Sequence, residues 1–224
     1  MNVYHLSKDR LYFPSPDQAL KEGLLAIGGD LSIERLLLSY SMGIFPWYSE
    51  DEPILWWTPD PRLVLFPDEF KISKSLRKII RQKKYNITID KAFEDVIKNC
   101  ALTRDETWIV NEMIEAYIKL HRAGFAHSFE CWQSDELVGG LYGVSLGRSF
   151  FGESMFSKKN NTSKIAMASL VDFIKLHNFD MIDCQTPTNH LKSLGAIEIS
   201  RKNFLDILKK SLKKKTIIGK WSNL

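Results

Sequence analysis

Two rhythms of apolar and polar residues run along this chain. From residue 72 to residue 123 apolar side chains recur at helical spacing, and from 125 to 156 they recur every second residue. In the first stretch, Ile72, Leu76, Ile79 and Ile80 share one face, and Lys74, Arg77, Lys78 and Arg81 share the other, which predicts an amphipathic helix over 72–84. Residues 91–100 and 111–123 predict two more helices, the second stopped by Gly124. FAHSFECW, LVGGLYGV and RSFFGESMF then predict three strands, with QSDE and SLG as the tight turns of an antiparallel meander. Beyond the polar stretch SKKNNTS, the pattern predicts a helix over 164–177, a strand in FDMIDCQ, a short helix over 190–194 and a last helix over 202–210.

Residues 1–62 are rich in Pro, Gly and Trp. Helical spacing occurs at 16–21 and at 32–41. Ser32 is placed to cap the second helix, because its hydroxyl can accept from a backbone N–H that has no partner in the first turn. Gly43 is placed to stop it. WWTPDPR reads as an extended connection punctuated by proline. The expected organisation is a small N-terminal domain, 1–62, followed by a larger one, 63–224. The order of elements in the larger part resembles the GNAT-type acyltransferases. The expected fold class is therefore α/β (α+β): a small N-terminal domain, then a GNAT-like domain with a mixed, largely antiparallel sheet whose strands splay to admit an acyl donor. The Gly-rich pyrophosphate signature usual in that fold is missing, which counts against coenzyme A. A fold alone names no function.

With 224 residues, 44% of them hydrophobic and 12% aromatic, the chain has the apolar surface for a real core. No apolar run approaches the roughly 18–20 residues that cross a bilayer. The first residues lack the apolar stretch of a signal peptide. A cytoplasmic protein with no membrane partner is expected, with a monomer as the default. The three cysteines are far apart and form no CxxC, and the five histidines are scattered, so neither a metal nor a cofactor is expected.

Charge changes the picture more. The net charge is only +4, yet residues 71–84 carry seven Lys or Arg and residues 207–224 carry six Lys, with no acid in either stretch. The rest of the chain holds 18 basic and 27 acidic residues, a net of −9. Cations gathered in this way suit a polyanion such as a nucleic-acid backbone. A pair of solvated helix faces is the plainer alternative.

Three groups of residues could carry chemistry. Asp183 and Gln185 stand two apart in a predicted strand, so both side chains take one face. A carboxylate there could fix the amide, whose oxygen could then accept a hydrogen bond from an attacking amine. Glu153, in FGESMFS, is a carboxylate at the end of an apolar strand, costly to bury without a partner and able to meet a cation. Met155 beside it could line an apolar pocket. Trp47, Trp56, Trp57 and Trp108 could stack on nucleobases or could simply be core. Together these residues suggest a nucleic-acid ligand carrying an apolar group.

One resemblance is far more specific. FPSPDQAL, GLLAIGGDLS, GIFPWYS, PILWWTPDPR, TWI, AHSFECW, ELVGGLYGV, FGESMFS, SKIA, IDCQ and HLKSLGA occur in this order. Over nearly the whole chain the sequence resembles the leucyl/phenylalanyl-tRNA–protein transferases. The resemblance implies transfer of Leu or Phe, sometimes Met, from aminoacyl-tRNA to acceptor proteins that begin with Arg or Lys, marking them for N-end-rule degradation, with neither ATP nor metal. It also implies roles. Asp183 would orient Gln185, and Gln185 would take the proton of the attacking amine. Glu153 would help hold the amino acid, Met155 and Ile182 would line the Leu/Phe pocket, and Trp47 and Trp108 would lie near the aminoacyl-adenosine end. Lys74, Arg77, Lys78, Arg81 and Lys84 would contact the tRNA. Two other classes remain open at this point: an amine acyltransferase using coenzyme A, and an RNA-binding protein without catalysis.

Overall fold

The computed structural model describes residues 3–102 and 109–224. Two sheets organise it. The smaller contains β1 (Tyr4–Leu6), β2 (Leu24–Gly28), β3 (Phe45–Pro46) and β4 (Leu55–Trp57), in the order β1-β2-β4-β3. Helix α1 (Ile33–Ser41) crosses between β2 and β3. Ser32 caps it, accepting from the Arg35 N–H at 3.4 Å, and Gly43 follows its end at φ +71°. Arg35, almost fully buried, pins the first residues to this unit. It pairs with Asp30 at 3.1 Å and donates to the carbonyls of Ser7 and Arg10. The helix expected over 16–21 shrinks to a single 3-10 turn, Pro16–Gln18, because Ala19 already leaves it in an extended conformation, φ −62° and ψ 148°.

The larger sheet has seven strands. They are β5 (Arg62–Leu65), β6 (Asn86–Ile89), β7 (Ala126–Gln133), β8 (Glu136–Leu146), β9 (Ser149–Ser157), β10 (Met181–Gln185) and β11 (Ile197–Ile199), in the order β11-β5-β10-β9-β8-β7-β6. Strands β7, β8 and β9 form the expected meander, and every pairing is antiparallel except that of β9 with β10. The result is a mixed α/β fold with a small N-terminal sheet. Strands β5, β6 and β11 were not foreseen. Each has only three or four residues, and β5 is buried on both faces, so it shows no alternation to read.

Helices α3 (Phe93–Leu102) and α4 (Asn111–Arg122) pack on one face of this sheet. Helix α5 (Thr162–Leu176) packs on the other. Helices α6 (Asn189–Ser193) and α7 (Arg201–Ser211) flank β11 in the chain. The chain end returns to the α5 side, where Trp221, 1% exposed, stacks on His127 at 3.7 Å and on Phe173 at 4.4 Å. All three cysteines are buried.

The amphipathic helix is α2 (Lys74–Arg81), shorter than the expected 72–84. Ser73 caps it at 3.1 Å, and Lys83 at φ +50° ends the turn after it, so Lys84 lies beyond the helix. Leu76 is buried and Ile72 and Ile79 pack beside it, whereas Ile80 is exposed. Among the described residues no helix is long and apolar enough to cross a membrane.

Candidate active site

Strands β9 and β10 run parallel for three residue pairs, Ser149–Met181, Phe150–Ile182 and Phe151–Asp183, and then part. Strand β9 continues to Ser157 paired with β8 alone, and a cavity of about 460 Å³ opens on the side that β10 has left. This is the splayed pair that a GNAT-like sheet was expected to contain. The cavity wall is apolar, with Leu141, Met155, Met167, Leu170 and Ile182 among its residues. Glu153, Gln185 and His190 bring polar groups to it.

Two bulges shape this opening. Strand β8 pairs Tyr142 with Ser154 and Gly143 with Gly152, so Glu153 is an extra residue in β9. Gly143 permits the close approach, since a Cβ there would stand 2.2 Å from the Phe151 carbonyl oxygen. Strand β5 pairs Val64 with Asp183 and Leu63 with Gln185, so Cys184 is an extra residue in β10. A bulge bends its strand and re-aims side chains. Beyond the first bulge the alternation of β9 is reversed. Phe151 packs with the α3 side of the core and Met155 with the α5 side.

Glu153 is buried and fully occupied. Its Oε1 accepts from Tyr40 Oη at 2.8 Å and from Gln185 Nε2 at 3.0 Å, and its Oε2 accepts from Tyr117 Oη at 3.0 Å. The hydroxyls of Tyr40 and Tyr117 also touch each other. Burial pushes the Glu153 carboxyl up to about 7, the Tyr40, Tyr117 and Gln185 hydrogen bonds pull it back, and Asp183 adds to the rise. Burial, and then the Glu153 charge, raise both phenols well above their ordinary value. Both oxygens are thus engaged where Glu153 lines the cavity.

Asp183 takes a different place from the one its spacing suggested. Its carboxylate does not touch the Gln185 side chain. It binds Arg62 at two points, Nε to Oδ1 at 2.8 Å and Nη2 to Oδ2 at 2.7 Å, and its Oδ1 also accepts the Gln185 backbone N–H at 2.9 Å. Gln185 stands at φ +63°. Its amide nitrogen is held by Glu153, and among the described residues its Oε1 accepts no hydrogen bond. The amide therefore presents an acceptor to the cavity.

Trp47, 41% exposed, forms part of the cavity rim, 5.7 Å from the ring of Trp57. Trp57 Nε1 donates to the Trp47 carbonyl at 2.7 Å, which fixes that edge. Trp56 is core, fully buried and bonded to the Gly28 carbonyl at 2.8 Å. Trp108 lies outside the described residues. Lys74, Arg77, Lys78 and Arg81 line one groove on the outer face of α2, and Lys84 stands apart from it beside Tyr85. Sequence reasoning missed Tyr40, Tyr117, Arg62 and His190. His190 Nε2 is buried without a partner among the described residues, and burial, then Lys164, lowers its pKa. Among the described residues no cluster of His, Cys, Asp or Glu has the form of a metal site.

Residues 64–209 match the family model described as leucyl/phenylalanyl-tRNA protein transferase, and residues 29–60 match that of its N-terminal domain. A leucyl/phenylalanyl-tRNA–protein transferase of Desulfatibacillum aliphaticivorans is 58% identical, covering 99% of this chain and 97% of that protein. One from Syntrophobacter fumaroxidans is 56% identical over 95% of this chain and 92% of its own. Among solved structures, an aminoglycoside acetyltransferase from a soil metagenome aligns at 12% identity over 50% of this chain and 83% of its own, with a TM-score of 0.38.

Proposed function

The chain belongs to the leucyl/phenylalanyl-tRNA protein transferase family, and on that premise we propose that it moves a leucyl or phenylalanyl group from tRNA to the N-terminal amine of an acceptor protein. The observation that carries the reading is the Gln185 amide, anchored by Glu153 at 3.0 Å with its oxygen turned to an apolar cavity.

The substrate ester is already activated, so the protein's task is positioning, which can remove roughly 7–11 kcal/mol of barrier. The Leu or Phe side chain enters among Met155, Ile182 and Leu170, where each buried CH₂ is worth about 0.8 kcal/mol. Such a pocket separates similar apolar groups weakly, which fits acceptance of Leu, Phe and Met. Trp47 offers a face at the rim for the terminal adenine. The acceptor amine donates one N–H to Gln185 Oε1, which points its lone pair at the ester carbonyl. The C–N bond forms, the ester C–O bond breaks, and the departing ribose oxygen takes up a proton. An amide oxygen is too weak a base to keep that proton, so Gln185 orients the amine.

The α2 groove supplies Lys74, Arg77, Lys78 and Arg81 to the tRNA backbone, and Lys84 extends that surface. Acceptors beginning with Arg or Lys, transfer without cofactor and action as a monomer belong to the same proposal. So does the division into domains 1–62 and 63–224, which is supported by the passage from one sheet to the other between Trp57 and Arg62.

The test uses purified protein, Leu-tRNA carrying labelled leucine, and two acceptors that differ only in a first residue of Arg or Ser. Label on the Arg acceptor alone, without ATP, is expected. Tight tRNA binding with no transfer to either acceptor would sink the proposal.

A further inference from the structure

Arg62 begins β5 and is 1% exposed. Its guanidinium lies between two aromatic rings, 4.7 Å from the centroid of Phe45 and 4.6 Å from that of Phe204. Phe45 comes from β3 of the small sheet and Phe204 from α7. The two rings define a flat slot, and within it the two bonds to Asp183, at 2.8 and 2.7 Å, leave the guanidinium little freedom. The same Asp183 Oδ1 that accepts from Arg62 also accepts the Gln185 N–H.

Gln185 needs such a hold. At φ +63° it occupies the left-handed region, which is unfavourable for a residue with a Cβ. It also follows the extra residue Cys184, where the β5–β10 register shifts between the Asp183–Val64 and Gln185–Leu63 pairs and the chain bulges. The Asp183 carboxylate spans this bulge by accepting the Gln185 N–H, and Arg62 fixes that carboxylate.

We propose that Arg62 is a positioning residue for the transfer reaction: through Asp183 it holds the Gln185 backbone in the turn that sets the side-chain amide between Glu153 and the cavity. The proposal rests on the transferase reading above. Lysine cannot replace it. A single ammonium neither binds both carboxylate oxygens in one plane nor fills a slot between two rings. A purely structural ion pair would behave differently, since its loss lowers the melting temperature and leaves the turnover of the folded protein unchanged.

The experiment measures labelled-leucine transfer by the full chain as wild type, R62K, Q185A and R62K/Q185A, with melting curves for each. R62K is expected to lose roughly 10- to 100-fold in kcat, with KM for Leu-tRNA within about twofold of wild type, because a displaced reacting group costs rate rather than binding. In the Q185A background the same change should cost less than about twofold, because Arg62 acts through Gln185. Wild-type kcat in R62K, or losses that simply multiply in the double variant, would overturn the positioning role. Should R62K not fold, F204L keeps the ion pair and removes one wall of the slot. A kcat reduced roughly three- to tenfold at unchanged KM is then expected, and an unchanged kcat overturns the proposal. An inactive wild type would instead remove the transferase reading, and the positioning role with it.

Discussion

Gln185 Nε2 donates to Glu153 Oε1 at 3.0 Å, and this contact decides which end of the amide meets the cavity. When Glu153 is ionised, above about pH 7, it can only accept, so the nitrogen faces Glu153 and the oxygen faces the substrate side. Gln185→Glu should therefore be worse than a loss of one acceptor, because it sets two carboxyl groups against each other at that distance. Gln185→Ala is expected to lower kcat by roughly 10- to 100-fold, and Gln185→Glu by at least as much, with tRNA affinity retained in both. Single-turnover transfer alongside filter binding checks this. Equal transfer by wild type and Q185A would show that the amide plays no part.

Glu153 makes stability depend on pH in a definite direction. Its folded carboxyl is pushed up to about 7, above the ordinary 4.5, so the native state binds the proton more tightly than the unfolded chain does. The contribution is present in full below about 4.5 and is lost as pH rises through about 7. At about 1.4 kcal/mol per unit, the loss is on the order of 3 kcal/mol. Glu153→Gln removes the ionisation. Its melting temperature relative to wild type should rise steadily between pH 5 and pH 8, while its transfer activity falls because a glutamine there can turn its NH₂ as well as its oxygen to Gln185 and no longer fixes which way that amide faces. A difference that stays flat across that pH range would contradict the assignment.

The α2 groove should behave as an electrostatic site. Reversing Arg77, Lys78 and Arg81 together is expected to weaken tRNA binding strongly at low salt and to reduce the slope of log K against log salt by about 2–3, since each phosphate contact contributes roughly 0.7–0.9. Transfer to acceptor at saturating tRNA should change little. Unchanged affinity and slope would remove this helix from the tRNA surface.

Trp221 closes the core from the last turn of the chain. Its ring packs against His127 and Phe173, and its backbone N–H donates to Asp90 Oδ2 at 2.7 Å. Trp221→Ala should cost about 3–5 kcal/mol, the range for emptying a large aromatic site. Denaturant unfolding measures it, and a cost below about 1 kcal/mol would mean that the chain end is loosely held. The Lys-rich segment before it is thus tethered at both ends, by α7 and by Trp221.

Local pattern carried a large part of the fold. The faces of α2, the capping hydroxyl of Ser32, the stops at Gly43 and Gly124 and the alternation of β7 to β9 all follow from neighbours within a few residues, which is the range over which helical and strand periods act. The polar residues of the cavity were legible too, because Glu153 and Gln185 stand out in apolar strands. Their partners were not. Glu153 meets Tyr40 from 113 residues away, and Asp183 meets Arg62 from 121. Two bulges, at Glu153 and Cys184, each add one residue and break the period on which any reading of facing depends. The sequence by itself determined the elements, the charge separation and the family. Only the tertiary structure decided that Asp183 holds a backbone while Glu153 turns the amide, because such pairings are set by how strands from distant parts of the chain align, and no local period encodes that alignment.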